Sequence, residues 1–252
     1  MKNADDMSLV EHLTELRKRI MWVLAVLVVT MIAGFFLADP LINYIKSTPP
    51  ADKLTLHALS PWDSVRIYMQ FSFVIALIVT LPFTLYQLWS FVKPGLRPIE
   101  QRATIKYIPL AVLLFLIGLA FSYFVVFRMA LLFTGQMSDR LHLEETYGIS
   151  QYFTFMFNIL IPISLLFELP VVVMFLTAIR LLTPKRLRKF RRFAYFILMV
   201  ISAIVTPPDV MSALIVMAPL VVLYEASIAF ASYVHRKQLV RDQAWEAEYG
   251  AK

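Results

Sequence analysis

Two glutamates stand inside long apolar stretches of this chain: Glu168, in Phe167-Glu168-Leu169-Pro170, and Glu225, in Leu223-Tyr224-Glu225-Ala226. A charge at the centre of a bilayer costs from about 3 to over 10 kcal/mol, so such a carboxylate must face protein, water or a partner. The chemistry open to both is a proton relay, a substrate contact or the docking of another helix. The plainer alternative is a hydrogen-bonded glutamate that holds helices together. Glu168 also lies between Pro162 and Pro170, and prolines in such a helix free backbone carbonyls that need local partners. Two further glutamates sit among arginines beside apolar blocks: Glu15, in Leu13-Thr14-Glu15-Leu16-Arg17, and Glu100, in Arg97-Pro98-Ile99-Glu100-Gln101-Arg102. As plain surface charge, Glu15 would pair with Arg19 at i, i+4 for roughly a few tenths of a kcal/mol.

Signatures of catalysis are missing. The four histidines, His12, His57, His142 and His235, are scattered without the spacing that holds a metal. With no cysteine, disulfides and thiolate metal sites are excluded. The six glycines form no phosphate-cradling loop, and no serine stands in a nucleophile elbow. Neither a metal, a cofactor nor enzymatic activity is expected.

The elements that must carry these glutamates follow from composition. Of 252 residues, 60% are hydrophobic and 16% charged, whereas a soluble domain is about 45–50% apolar and about 25% charged. The apolar residues fall into six blocks, near 20–38, 67–92, 105–127, 151–179, 193–205 and 210–233. Crossing a bilayer takes roughly 20 residues. The fourth block exceeds that, so it should tilt or project; the fifth falls short and should form a stunted hairpin with the sixth through Thr206-Pro207-Pro208-Asp209. The expected fold is an all-α integral membrane domain of six spans, occupying residues 1–252, with 234–252 as a tail.

Orientation follows from Lys and Arg in the connections. Nineteen lie on the side of the two termini and five on the other. Both termini are therefore expected in the cytoplasm, and the net charge of +7 needs no nucleic-acid partner. Trp22 and Trp89 fall at the cytoplasmic ends of their helices, where an aromatic belt belongs. The connections 39–66 and 129–150 are expected as long outer loops. Ser8 and Glu11 read as a capping box, and Leu9, Leu13, Leu16 and Ile20 share one face of an amphipathic helix over 7–19 that lies at the interface. The polar opening Met1–Asp6 is not that of a removable signal peptide. A bacterial or archaeal plasma membrane, or an organelle that makes its own protein, is the expected location.

The wording of the chain adds a resemblance. His12-Leu13-Thr14-Glu15-Leu16-Arg17-Lys18-Arg19 resembles the opening motif of the TatC family, the multi-spanning subunit of the twin-arginine protein translocase. The likeness continues through Leu81-Pro82, Tyr86-Gln87-Leu88-Trp89, Phe91-Val92-Lys93-Pro94-Gly95-Leu96, Phe121-Ser122-Tyr123-Phe124-Val125-Val126-Phe127, Phe167-Glu168-Leu169-Pro170 and Thr206-Pro207-Pro208-Asp209. One departure is visible: Arg128 stands where the family usually has proline, which leaves that helix end less sharply broken.

The resemblance implies a glove-like fold with short fifth and sixth helices. It implies export of folded proteins driven by the proton-motive force, without nucleotide or cofactor. It marks Glu15 and Glu100 as carboxylates that receive a twin-arginine signal peptide, with Arg17, Phe91 and Leu96 helping to shape the site. Glu168 corresponds to a buried glutamate facing the concavity, with Gln87 and Glu225 as candidate members of the same lining. Asp209 corresponds to an aspartate of the external turn, where a capping role is equally open. The implied partners are TatA- and TatB-type single-span subunits, other copies of the chain and the lipid bilayer. A proton-coupled solute transporter using Glu168 and Glu225 is the rival reading, and an intramembrane hydrolase a more distant one.

Overall fold

The computed structural model describes residues 9–93, 107–142, 146–206 and 210–249. Helix α1 (Leu9–Lys46) is one uninterrupted rod. The described part of the expected amphipathic helix over 7–19, residues 9–19, is therefore not a separate element. No glycine or proline lies between residues 9 and 33 to break it, so backbone hydrogen bonding continues into the apolar part. The helix also outruns its expected end at 38 and carries Pro40 inside. Burial of Ala38, Ile42 and Ile45 on one face, the Phe35–Tyr68 ring contact and a hydrogen bond from Tyr68 to Asp39 hold that extension against α2 (Asp63–Val92). Gly34 permits the crossing: a Cβ there would sit 3.0 Å from the Ser72 carbonyl oxygen.

The third block does not end near Phe127. Helix α3 (Tyr107–Phe121) passes into a π-helical segment, Ser122–Phe127, and continues as α4 (Arg128–Arg140). The expected loop over 129–150 is thus mostly helix, as Arg128 in place of a proline allows. The wide π turns bury Tyr123, Val126 and Phe127, and Phe127 meets Tyr152 at 5.5 Å edge to face.

The fourth block is two helices rather than one long rod: α5 (Ile149–Leu166) and α6 (Leu169–Ala178). Pro170 lacks the N–H that would continue the ladder, yet suits the first turn of a new helix. The chain turns at Phe167 and Glu168. Gly118 of α3 faces this turn; a Cβ there would lie 2.8 Å from Ser164 Cα and 2.9 Å from Phe167 Cβ.

After α6 the chain is pinned by the last helix. Arg180 takes the left-handed conformation (φ 64°), and the Leu181 and Leu182 amides donate back to the Leu176 carbonyl at 3.0 and 3.1 Å, a glycine-less version of a common helix ending. Helices α7 (Pro184–Lys189) and α8 (Arg191–Val205) follow. At 15 residues, α8 is about 22 Å long, the short fifth helix expected from the block at 193–205. Among the described residues, five other helical stretches are long and apolar enough to cross a membrane. Helix α9 (Val210–Tyr249) runs far beyond its expected end at 233. The extension is docked rather than free: buried Gln238 donates to the Thr177 and Ala178 carbonyls at 3.3 and 2.7 Å, and Asp242 accepts from Arg180 at 2.9 Å.

At the opposite end the connections that follow α1 and α4 meet. Strands β1 (Leu56–His57) and β2 (Tyr147–Gly148) pair in parallel, and Asp63 accepts from the Leu59 and Ser60 amides at 2.8 and 2.9 Å. The capping box at Ser8 lies outside the described residues.

Two outcomes test this packing. Gly118→Val should overpack the α3 crossing and cost about 1–3 kcal/mol, read as easier unfolding when SDS is titrated into the detergent-solubilised protein; unchanged unfolding would refute the close approach. Gln238→Leu leaves the buried α6 carbonyls without their donor, and should cost about 1–3 kcal/mol in the same titration. Loss no larger than that of a surface substitution such as Gln243→Leu would show that the extension is not docked.

Candidate functional site

Where α1 lies against α2, Arg19 is gripped from both helices. Its Nε and Nη2 donate to Glu15 Oε1 at 3.1 and 2.5 Å. Its Nη1 donates to Gln87 Oε1 at 3.1 Å and reaches the Gln87 carbonyl oxygen at 3.5 Å. The Arg19 and Glu15 side chains are 20% and 27% exposed, so the pair sits at the rim of a cleft. Helical spacing brings them together: Glu15 and Arg19 are one turn apart on α1. Beside them a cavity of about 170 Å³ opens between apolar walls that include Leu16, Ile20, Val23, Leu88 and Phe91. Leu16 and Ile20 of the expected amphipathic face thus line a groove, while Leu13 stays exposed. Arg17 and Lys18 point outward.

Chemically the corner is a guanidinium cradle. A carboxylate and a carboxamide oxygen, supplied by different helices, accept from one planar fork of donors, the geometry to which arginine is suited and lysine is not. Phe91 forms part of the wall. Glu100 and Leu96 lie outside the described residues, as does Asp209. Trp89 is packed inside the protein rather than in a lipid-facing belt, with the Lys93 ammonium 5.2 Å from its ring centroid.

The three polar residues expected to share one lining differ in their partners. Gln87 is engaged by Arg19 in the cradle. Glu225 belongs to the α8–α9 contact, where it accepts from Arg191 Nη2 at 2.6 Å and the Tyr195 hydroxyl at 2.5 Å. Glu168 is buried at the α5–α6 turn, and neither carboxyl oxygen has a hydrogen-bond partner among the described residues.

Sequence reading missed the Arg191–Tyr195–Glu225 cluster and the docking of Gln238 and Asp242. The signal available was faint: Gln238 and Asp242 share a face at i, i+4, and Arg191 and Tyr195 do likewise. Among the described residues, no group of three or more His, Asp or Glu is placed to hold a metal.

Comparison with known proteins identifies the architecture. The family model "Sec-independent protein translocase protein (TatC)" matches residues 11–219. The chain is 45% identical over 247 residues to the Sec-independent protein translocase protein TatC of Halalkalibacterium halodurans, covering 98% of each. It is 46% identical over 234 residues to TatCy of Bacillus subtilis, covering 93% of this chain and 92% of that one. A crystal structure described as the twin arginine translocase receptor TatC superposes with a TM-score of 0.73 at 30% identity, covering 89% of this chain and 99% of that one. A second, of the receptor in DDM, gives 0.76 at 31%, covering 88% and 99%. These relatives are protein-translocase components and not enzymes, and they share the multi-spanning helical fold. The chain belongs to the TatC family of Sec-independent protein translocase membrane proteins.

Proposed function

We propose that this chain is the receptor subunit of a twin-arginine translocase, binding the signal peptides of folded cargo at the α1–α2 corner. The observation that carries the reading is the cradle itself: Glu15 and Gln87 hold a guanidinium at hydrogen-bonding distance beside an apolar groove. A signal peptide offers the matching features, consecutive arginines followed by an apolar stretch. Glu100 supplies the second carboxylate for the second arginine, Leu96 and Phe91 shape the approach, and Arg17 stands at its rim. The apolar stretch then runs between the helices toward Glu168, whose unpartnered carboxyl takes a polar group of the peptide or of a partner helix. Asp209 shapes the external turn.

The chain acts as one membrane domain in a cytoplasmic membrane with both termini inside, which the distribution of Lys and Arg supports. TatA- and TatB-type single-span subunits and further copies of the chain complete the complex, and the proton-motive force drives passage of the cargo. A proton-coupled solute transporter would need Glu168 and Glu225 in one site. Glu225 is engaged by Arg191 and Tyr195, and no hydrogen bond links it to Glu168, so the receptor reading is favoured.

The test is equilibrium binding of a twin-arginine signal peptide to the purified protein, with a twin-lysine peptide as control. Wild type should prefer arginine, and Glu15→Ala or Glu100→Ala should each weaken binding tenfold or more, about 1.4 kcal/mol. Equal, weak binding of both peptides by the wild type would overturn the reading. Strong binding indifferent to both substitutions would remove the two carboxylates from the site.

A further inference from the structure

We propose that Arg19 is a resident surrogate for the signal peptide's arginine: its guanidinium fills the Glu15–Gln87 cradle and must swing out before a peptide arginine can enter. The inference rests on the receptor reading above and adds a built-in competitor to it.

An ordinary i, i+4 surface pair needs only Glu15. Here Arg19 also reaches across to α2, with Nη1 3.1 Å from Gln87 Oε1 and 3.5 Å from the Gln87 carbonyl oxygen. Acceptors from two helices therefore converge on one guanidinium, which makes this a built binding position. The occupant is nonetheless displaceable. Both Arg19 and Glu15 keep part of their side chains in solvent, and such partly exposed pairs are weakly held. The adjoining cavity of about 170 Å³ offers room for a second arginine stem along Leu16, Ile20 and Phe91 while Arg19 departs.

Replacement of one guanidinium by another leaves no acceptor of the cradle unpaired. Binding then measures the difference between two like interactions, so affinity stays modest while discrimination against other side chains is kept. A lysine ammonium is a compact point charge; it can take Glu15 from Arg19 but cannot present the planar fork that spans Glu15 and Gln87 together. The apparent affinity of the peptide is reduced by the fraction of time that Arg19 vacates the cradle.

The consequence is a gain of binding on removing a positive charge beside Glu15. Fluorescence anisotropy with a labelled twin-arginine signal peptide and full-length protein in lipid nanodiscs reads it. Arg19→Ala should bind the peptide at least threefold more tightly than wild type. Arg19→Lys, which keeps the charge and loses the fork, should fall between them. Thermal unfolding of each variant checks folding, and if Arg19→Ala does not fold, Arg19→Lys decides alone. A wild type that prefers twin-arginine over twin-lysine peptide, with no tightening in the folded variants, overturns the surrogate and leaves the receptor reading intact. A wild type without that preference removes the receptor reading and the surrogate with it.

Discussion

The close passage of α3 across the turn between α5 and α6 sets the positions of the other spans. Lipid gives helices little hydrophobic reason to associate, so small residues that let backbones approach become the determinants of packing. At Gly118 the α3 backbone lies so near Ser164 and Phe167 that even a methyl group would collide. The Phe121 and Phe167 rings meet beside the crossing at 5.5 Å. With the turn fixed in this way, Glu168 enters the interior, and α5 with α6 forms the most deeply buried of the long spans. Aromatic contacts then extend the core from α5 to α2, with Phe71 meeting Phe153 and Phe157 at 5.1 and 5.0 Å.

Two of the chain's basic regions are held differently. The segment carrying Arg180, Arg186, Arg188 and Arg191 is stitched to α9: Tyr224 donates to the Leu187 carbonyl at 2.9 Å, Arg191 pairs with Glu225, and Gln238 covers the end of α6. Helix α1 is joined to the body chiefly through α2, and most of its apolar surface remains outside the protein core. The guanidinium cradle thus lies on a helix pair set apart from the clamp on α9. Under the proposed function, a peptide that must enter and later leave is better served by such a corner than by the interlocked region around α5.

Much of this was legible in the sequence wherever local pattern and tertiary packing agree. The spans, the short helix ending at Val205 and the Glu15–Arg19 pairing all follow from hydropathy or helical spacing. The misses share a cause: an element's length was read from its apolar residues, but helices end where hydrogen bonding or packing ends. Pro40 does not stop α1, because Ala38, Ile42 and Ile45 are packed on one face. Pro170 does break the fourth block, because a turn at Phe167 and Glu168 is accommodated by Gly118. The polar stretch after Tyr233 stays helical because Gln238 and Asp242 find partners on α6 and just beyond it. Gln87 offered no one-dimensional sign of its link to Arg19, since 68 residues separate them.

Glu168 and Glu225 look alike in the sequence, each a lone carboxylate in an apolar stretch, yet the fold treats them oppositely. Glu225 is given a guanidinium and a phenol by the neighbouring helix and remains partly open to its surroundings. Its role is accounted for by the contact of α8 with α9. Glu168 is buried without a partner among the described residues, and an unpaired buried polar group imposes a penalty that any incoming donor relieves. A fold can carry that penalty because Gly118 and the α5–α6 turn hold the residue where it is. Under the proposed function, the two ends of a signal peptide meet unequal demands. One of its arginines exchanges into a cradle whose acceptors are already satisfied, whereas a polar group arriving at Glu168 meets an acceptor that is not. Discrimination therefore belongs to the α1–α2 corner, and the larger gain on completing the assembly belongs to the α5–α6 turn.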